Sequence, residues 1–354
     1  MSMAKALFDD GDLAFFMNTG VINKPVTKDD FESKTVTQLF AHNAMQHELQ
    51  KVDPFNKIAR SGLLGRMVDV LNREDNGYSA QGVAINHQFH AVNGNHSATI
   101  VSEYGPQEFN DKPFGEEIDF DPRPLIDRMN TENSLYSNIF AETFADFSSR
   151  AIQENEYLGT AVNDVQLDTN CGSRRLNMVV KMMETRVQRG VDRDAFFLEL
   201  GSWDHHMELK PNLDSQFRRL NEALFCYTRN VKAAGLWDNV TLVLKSDFGR
   251  TLTPNSQQGS DHGWSGHYAV ISGALQPQKM LGQYPTDITA SSPLNVGRGR
   301  LIPRLSWESM WWPILQWIGL TNEEELTHVL PNARGSSAPL LPATALFRQD
   351  TLDN

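Results

Sequence analysis

The sequence has few cysteines, no long apolar run and no concentration of positive charge, and each absence excludes a class of protein. Its 354 residues include only two cysteines, Cys171 and Cys226, too few for a disulfide scaffold and without the CxxC spacing of a zinc site. We expect both to be buried thiols. No segment approaches the roughly 20 consecutive apolar residues of a membrane-spanning helix, so no span is expected.

The N-terminus also lacks the basic-then-apolar pattern of a signal peptide, which favours a soluble protein that is not exported. The alternative is a chain that begins late, and the sequence leaves the compartment open.

Acidic residues exceed basic ones, with 44 Asp and Glu against 32 Lys and Arg and a formal net charge of −12. Nucleic acids and anionic membrane surfaces recruit proteins through clustered Lys and Arg, so we expect neither as a partner. An enzyme with this balance that acts on an anionic ester would have to offset the repulsion locally, with a metal ion or arginines.

The order of apolar and amphipathic segments predicts an α/β fold. Strands are predicted at 13–19, 195–200, 240–244 and 268–272, and helices at 61–72, 125–152, 173–189, 213–234 and 307–318. Strands that alternate with long helices imply right-handed crossovers and a mainly parallel sheet covered on both faces. The predicted architecture is therefore a three-layer α/β/α sandwich.

We assign residues 1–335 to a single domain and 336–354 to a loosely packed C-terminal tail, with long loops predicted at 105–124 and 276–300. Ligands of open α/β sheets bind beyond the carboxyl ends of the strands, so the loops there are the first place to look for a site.

The first such loop follows the strand at 195–200 and contains Asp204, His205 and His206. One carboxylate and two imidazoles could ligate zinc, manganese or iron. The alternative is a polar loop with a capping aspartate and solvent-facing histidines, which is the slightly better interpretation of this segment taken alone.

Two further loops carry the same residue types. KSDFGR places Asp247 and Arg250 after the strand at 240–244, as a metal ligand and an anion-binding fork or as an Asp–Arg turn pair. SDHGWSGH contains His262 and His267, among glycines that allow a ligand to approach the backbone, or in a turn whose histidine is hydrogen-bonded. Three such loops at successive strand ends are much less expected by chance than one, which favours a metal site.

The other histidines carry less weight. His42 and His47 lie on an amphipathic segment, whereas His87, His90 and His96 lie among predicted strands and turns, where surface or hydrogen-bonded positions are commoner. Of these, we retain only His42 as a residue of the pocket or a support for a ligand.

The motifs LELGSWDHH, LWDNVTLVLKSDFGR and GSDHGWSGH resemble, in order and spacing, the bacterial family catalogued as domain of unknown function 1501. AHNAMQ, SGLLGRMVDVL, LGQYP, GRLIP, WWPILQWIGL and VLPN extend the resemblance up to about Asn332. That family is similar in fold to the alkaline phosphatase superfamily, which includes sulfatases and cofactor-independent phosphoglycerate mutases and uses two metals at the carboxyl edge of its sheet.

This resemblance implies roles for individual residues. Asp204 and His206 would match the aspartate and histidine of the first metal site, and His262 its later histidine. Asp247 falls where the superfamily has an Asp-His pair for the second metal, but the next residue is Phe248, which cannot ligate. The resemblance therefore supports one metal site and leaves the second in doubt.

Members of the superfamily also begin with a strand that bears a metal aspartate and is soon followed by the nucleophile. In the resembling family this strand ends in an Arg-Gly-Gly-type motif, and nothing like it precedes Leu13. We expect either an N-terminally incomplete sequence or the loss of half of a bimetallic centre. A missing strand would expose a neighbouring strand edge, which favours self-association or a partner chain.

The leading functional hypothesis is metal-dependent hydrolysis of a phosphate or sulfate ester, with a small anionic ester as substrate. Asp204, His206 and His262 would be ligands, Asp247 a ligand or base, and Arg250 an anion clamp. Zinc and manganese are the favoured metals, with calcium as a third candidate. The alternative is a non-catalytic binding or assembly protein that retains a degenerate metal site, because a fold does not determine a function.

Overall fold

The chain forms helices and short strands, which a computed structural model describes for residues 1–106, 123–131, 138–168, 172–335 and 338–352. The strands are β1 (Leu13–Gly20), β2 (Ala80–Ile85), β3 (Thr99–Val101), β4 (Arg193–Phe197), β5 (Leu242–Leu244), β6 (Gly266–Ile271), β7 (Met280–Gly282) and β8 (Leu305–Ser306). The helices are α1 (Ser2–Asp10), α2 (Phe31–Lys34), α3 (His42–Lys51), α4 (Leu63–Leu71), α5 (Arg123–Thr131), α6 (Ile139–Asp164), α7 (Arg174–Glu184), α8 (Arg186–Arg189), α9 (Leu209–Ala233), α10 (Trp307–Trp317), α11 (Glu323–Val329) and α12 (Ala343–Leu346).

The four predicted strands are present, and so are the predicted helices within the described residues. The helical region predicted at 125–152 corresponds to two helices, of which the second extends to Asp164. Most of the predicted loop at 105–124 lies outside the described residues. Within the described part of the chain, no helix combines the length and apolar character needed to cross a bilayer. The general α/β character is thus confirmed.

The strands form two sheets rather than one. The larger sheet has the order β5-β6-β1-β7, with β8 also paired to β1, and the smaller has the order β3-β2-β4. In the larger sheet β6 runs antiparallel to both β1 and β5, whereas β7 and β8 run parallel to β1. The smaller sheet is entirely parallel.

Our prediction of a mainly parallel sheet is therefore wrong, and the connection from β5 to β6 explains why. Residues 245–265 contain no helix, whereas a parallel crossover usually needs one and an antiparallel pair can be joined by a loop. The regular strand–helix alternation of the preceding segment does not extend to this step, so β6 returns in the opposite direction.

The C-terminal segment is not the loose tail that the sequence predicts. Leu346 and Phe347 are fully buried, and the backbone N–H of Gln276 donates to the carbonyl of Leu346. The ring of Phe347 stacks on Trp317 with centroids 5.1 Å apart. The residues around α12 therefore belong to the core, because one turn of helix places two apolar side chains against α10.

We expect Phe347→Ala to lower the free energy of unfolding by about 3–5 kcal/mol, the usual cost of removing a buried phenyl ring. Phe144→Ala is the matched control, because Phe144 lies on α6 and is 73% exposed, and its loss should change stability by less than about 0.5 kcal/mol. Equilibrium unfolding in urea measures both values. A small effect of Phe347→Ala would show that the segment packs only loosely in solution.

The expectation of two free thiols is wrong for Cys226, which is buried and disulfide-bonded. The other cysteine, Cys171, lies outside the described residues. Two cysteines far apart in sequence carry no spacing signal from which a bond could be inferred.

Candidate metal centre

Side chains from two loops and one helix meet around the carboxylate of Asp204. Its Oδ1 lies 3.0 Å from Nε2 of His206 and 3.2 Å from Nε2 of His262. Its Oδ2 lies 3.1 Å from Nε2 of His42, the first residue of α3. The loop after β4 and the connection between β5 and β6 therefore converge on one point, and His262 reaches it because β6 runs antiparallel to β5.

The spacing of these atoms is close to what one metal ion requires. Ligand atoms of His42, Asp204 and His262 all lie within 4.8 Å of one another, and Nε2 of His206 lies 3.0 Å from Nε2 of His262. Ligands about 2.0–2.2 Å from a tetrahedral zinc ion are separated by about 3.3–3.6 Å. His42, Asp204 and His262 could therefore share one ion, and His206 lies beside His262 as a further imidazole.

The hydrogen bond between His262 and the backbone of Phe40 determines which nitrogen of the His262 ring carries the proton. Its Nδ1 lies 2.7 Å from the carbonyl oxygen of Phe40, and since a carbonyl can only accept, Nδ1 carries the proton. In the neutral ring Nε2 then presents its lone pair towards Asp204. This is the tautomer that a metal-binding imidazole needs.

Carboxylates hold the other two imidazoles from behind. Nδ1 of His42 donates to Oδ2 of Asp247 at 2.6 Å, and Nδ1 of His206 donates to Oδ1 of Asp261 at 2.9 Å. Metal-binding histidines usually have such a partner, which orients the ring and increases its basicity. All three imidazoles are thus orientated towards Asp204 before any ion is bound.

Asp247 supports His42 and does not contact Asp204. Its Oδ1 accepts hydrogen bonds from Ser246 Oγ at 3.0 Å and from the backbone N–H of Phe248 at 3.1 Å, and its side chain is 10% exposed. The sequence predicts Asp247 as a ligand or base, whereas in the structure its carboxylate lies on the far side of the His42 ring.

Arg250 brings a positive charge into the centre. Its Nη1 donates to Oδ1 of Asp204, and its Nε and Nη2 donate to the hydroxyl and the carbonyl of Ser260. The guanidinium is therefore held rigidly beside the cluster. An anion bound next to Asp204 would meet this charge.

The surroundings lower the pKa values of two aspartates of the cluster and raise the pKa of one histidine. Burial alone would raise the pKa of Asp204, but hydrogen bonds from Arg250 and His42 and nearby positive charge lower it to about 2. Burial alone would lower the pKa of His42, but the hydrogen bond and charge of Asp247, together with Asp204, raise it above 6.5. Hydrogen bonds from Asn255, His206 and Arg298 lower the pKa of Asp261.

Two histidines from the same motifs are not part of the cluster. His205 has no side-chain hydrogen bond at its buried Nε2 within the described part of the chain, and its backbone N–H donates to the carbonyl of Trp203. His267 accepts a hydrogen bond from the backbone N–H of Asn18 at Nδ1 and packs against Tyr284. Adjacent side chains diverge, so the loop orientates only His206 towards Asp204, as expected.

The sequence pattern gives His42 little weight and predicts no role for Asp261. His42 begins a helix far from the strand-end loops in sequence, and no spacing relates it to them. Asp261 precedes His262, and that adjacency was the one available signal for a carboxylate near the imidazoles.

Comparison with known proteins places the chain in one family. The model of the family described as "Protein of unknown function (DUF1501)" matches residues 1–296 of the 354. Neither the curated proteins nor the solved structures contain a match. The resemblance seen in the motifs is thereby confirmed at the level of the family.

Proposed function

We propose that this chain, which belongs to the DUF1501 family, binds one divalent metal ion at the Asp204 cluster and hydrolyses a small phosphate or sulfate ester there. The observation that carries the proposal is the convergence of three imidazole Nε2 atoms on one carboxylate, with an acceptor behind each ring. Such an arrangement matches the ligand and support pattern of catalytic metal sites.

The proposed ligands are Asp204, His42, His206 and His262. Three nitrogens and one oxygen suit zinc best and manganese next, whereas calcium takes oxygen ligands and fits this set less well. When bound, such an ion polarises an ester oxygen and lowers the pKa of a bound water to about 7.

A single ion is favoured over two. Phe248 packs its ring against His42 at 4.7 Å and against His262 at 4.6 Å between centroids. An aromatic wall thus lies where the alkaline phosphatase superfamily has a histidine of its second site. This supports a likeness to that superfamily in which half of the bimetallic centre is missing. The superfamily's three-layer α/β/α sandwich remains part of the proposal.

Arg250 is the proposed anion clamp, and Asp247 the residue that orientates His42. A bound cation would share the charge of Asp204 and weaken its pairing with Arg250. The guanidinium fork could then bind two oxygens of a phosphoryl or sulfuryl group. This local positive charge would offset the net charge of −12 for an anionic substrate.

One observation favours the alternative of a non-catalytic protein with a structural metal. Four protein ligands would fill a tetrahedral zinc ion and leave no position for water or substrate, as in structural sites. The side chain of Asp204 is 40% exposed, however, so solvent reaches the carboxylate from one side. This exposure supports the catalytic proposal.

Titration of the parent protein with zinc and manganese, followed by a panel of phosphate and sulfate esters, tests the proposal. We expect His262→Ala to weaken metal binding by more than the roughly 10–100-fold typical of supporting residues. His205→Ala should leave the affinity unchanged, because His205 makes no contact with Asp204.

Isothermal titration calorimetry measures the metal affinity of the two variants, each of which lacks one imidazole of the parent protein. Equal affinities, or a parent that binds neither ion, would remove the proposed metal site. Tight binding without hydrolysis of any ester would favour the non-catalytic protein.

A further inference from the structure

A large cavity separates the two sheets and leads to the metal cluster. Its volume is about 1250 Å³, and its lining includes every residue from 192 to 204 and every residue from 238 to 250. These runs contain β4 and β5 with the loops that follow them. Side chains of a strand alternate between its two faces, so an unbroken run of lining residues means that the backbone edges of both strands face the cavity.

Both edges lack a strand partner among the described residues. β4 pairs only with β2, and β5 pairs only with β6. Asp204 follows β4, Asp247 follows β5, and His42 contacts both, so the two strands run towards the cluster in the same direction. The cavity is therefore bounded by two roughly parallel rows of backbone N–H and C=O groups that require hydrogen-bond partners.

The other two sides of the cavity are apolar. Phe197 of β4 and Val243 of β5 pack against the core cluster that contains α4 and α10. Phe196 and Leu242 pack against the cluster that contains α7 and α9. Alternate residues of both strands thus point into the same two apolar layers. The side chains of a third strand between β4 and β5 would also point alternately into these two layers.

We propose that this cavity is a docking site for an extended apolar segment of about six residues from a partner polypeptide, inserted as a strand between β4 and β5. The edge from Ala195 to Leu200 spans about 20 Å at the usual rise of a strand. Main-chain hydrogen bonds on both sides would provide affinity, and apolar side chains would fill both layers.

Two other occupants fit the cavity less well. A small apolar ligand would leave both rows of backbone groups unpaired, and the cavity exceeds the roughly 300–1,000 Å³ of ordinary ligand sites. A second copy of the chain has no suitable strand to offer among the described residues. There β1, β2 and β6 are paired on both sides, β4 has five residues, and the other strands have two or three.

A peptide of six alternating valines and isoleucines, flanked by two lysines at each end and carrying a fluorophore, is the probe. We expect saturable binding by fluorescence anisotropy in the presence of EDTA, which separates this proposal from the metal site. The same peptide N-methylated at alternate residues should bind at least tenfold more weakly, because one row of its N–H donors is lost. Hydrogen exchange should show new protection at residues 195–200 and 241–245.

A pair of protein variants provides the second test. Leu198→Glu places a charge directly after β4, beside the cavity, and should weaken peptide binding at least tenfold. Ile100→Glu should not, since Ile100 is 50% exposed on β3 at the opposite edge of the same sheet. If Leu198→Glu fails to fold, the two peptides decide the question with the parent protein.

Equal affinity for the two peptides, or protection elsewhere in the chain, would overturn the proposal, because binding would then be unspecific adhesion. Light scattering after size-exclusion chromatography gives a further contrary outcome. A stable dimer that the peptide neither binds nor dissociates would show that a second copy covers the cavity.

Discussion

Asp204→Ala is expected to abolish metal binding and, with it, any ester hydrolysis. Asp204 is the one side chain that contacts all three imidazoles and the guanidinium of Arg250. Its removal deletes an inner ligand and leaves four side chains that can carry positive charge close together, which repels a cation. The loss should exceed the roughly 10–100-fold that follows from removing a supporting residue.

Variants of two other aspartates serve as references for the loss of affinity. Asp261→Ala removes the acceptor behind His206, together with the contacts of Asp261 to Asn255 and Arg298, and should lower the affinity by about 10–100-fold. Asp214→Ala should leave it unchanged, because Asp214 lies on the surface of α9 and pairs with Lys210. Calorimetry with zinc orders the three variants, and an Asp204→Ala protein that binds like the parent would exclude Asp204 as a ligand.

Asp204→Asn adds a test of pH dependence without metal. The folded-state pKa of Asp204 is lowered from 3.8 to about 2, so its carboxylate stabilises the fold above its unfolded pKa. This stabilisation is lost as the pH falls through the folded value. The apo variant should therefore be less stable than the parent at pH 7, and the difference should shrink between pH 4 and pH 2. A constant difference in thermal unfolding over this range would contradict the assignment.

Gly249→Ala is expected to destabilise the protein by about 3 kcal/mol or more, at the upper end of overpacking effects. A Cβ atom at Gly249 would lie 1.9 Å from the carbonyl oxygen of Ser265. The backbone N–H of Gly249 donates to Trp264, and its carbonyl accepts from Gly263. The loops that carry Asp247 and His262 are thus in backbone contact here, and a methyl group would force them apart.

Gly201→Ala is the matched control, because Gly201 lies in the neighbouring loop after β4 and no heavy atom lies within 4 Å of its added Cβ. Its effect on stability should stay within about 1 kcal/mol. Urea unfolding measures both variants, and zinc affinity reports whether the two loops still converge. Similar stabilities would show that the loops are separated in solution.

The positions of Asp247 and His42 show where sequence reasoning succeeds and where it fails. A strand-end aspartate is a reasonable ligand by position, and Asp247 does belong to the site. Its carboxylate reaches the centre only through the ring of His42, which begins α3. Helix and loop are distant in sequence, so their contact depends on how α3 packs against the end of β5, and no local pattern encodes that packing.

The sequence by itself predicted four of the strands, the longer helices, the family and three residues that the structure brings together at the cluster. Hydrophobic periodicity specifies strands and helices locally, and the motif after β4 places Asp204 and His206 at the carboxyl end of a strand. His262 precedes β6 and shares that edge only because β6 runs antiparallel to β5.

Only the tertiary structure decided the separation into two sheets, the antiparallel direction of β6, the burial of Phe347 and the inclusion of His42. Each of these depends on contacts between segments distant in sequence. Their free energies come from packing and hydrogen bonds that form only when the whole chain is assembled.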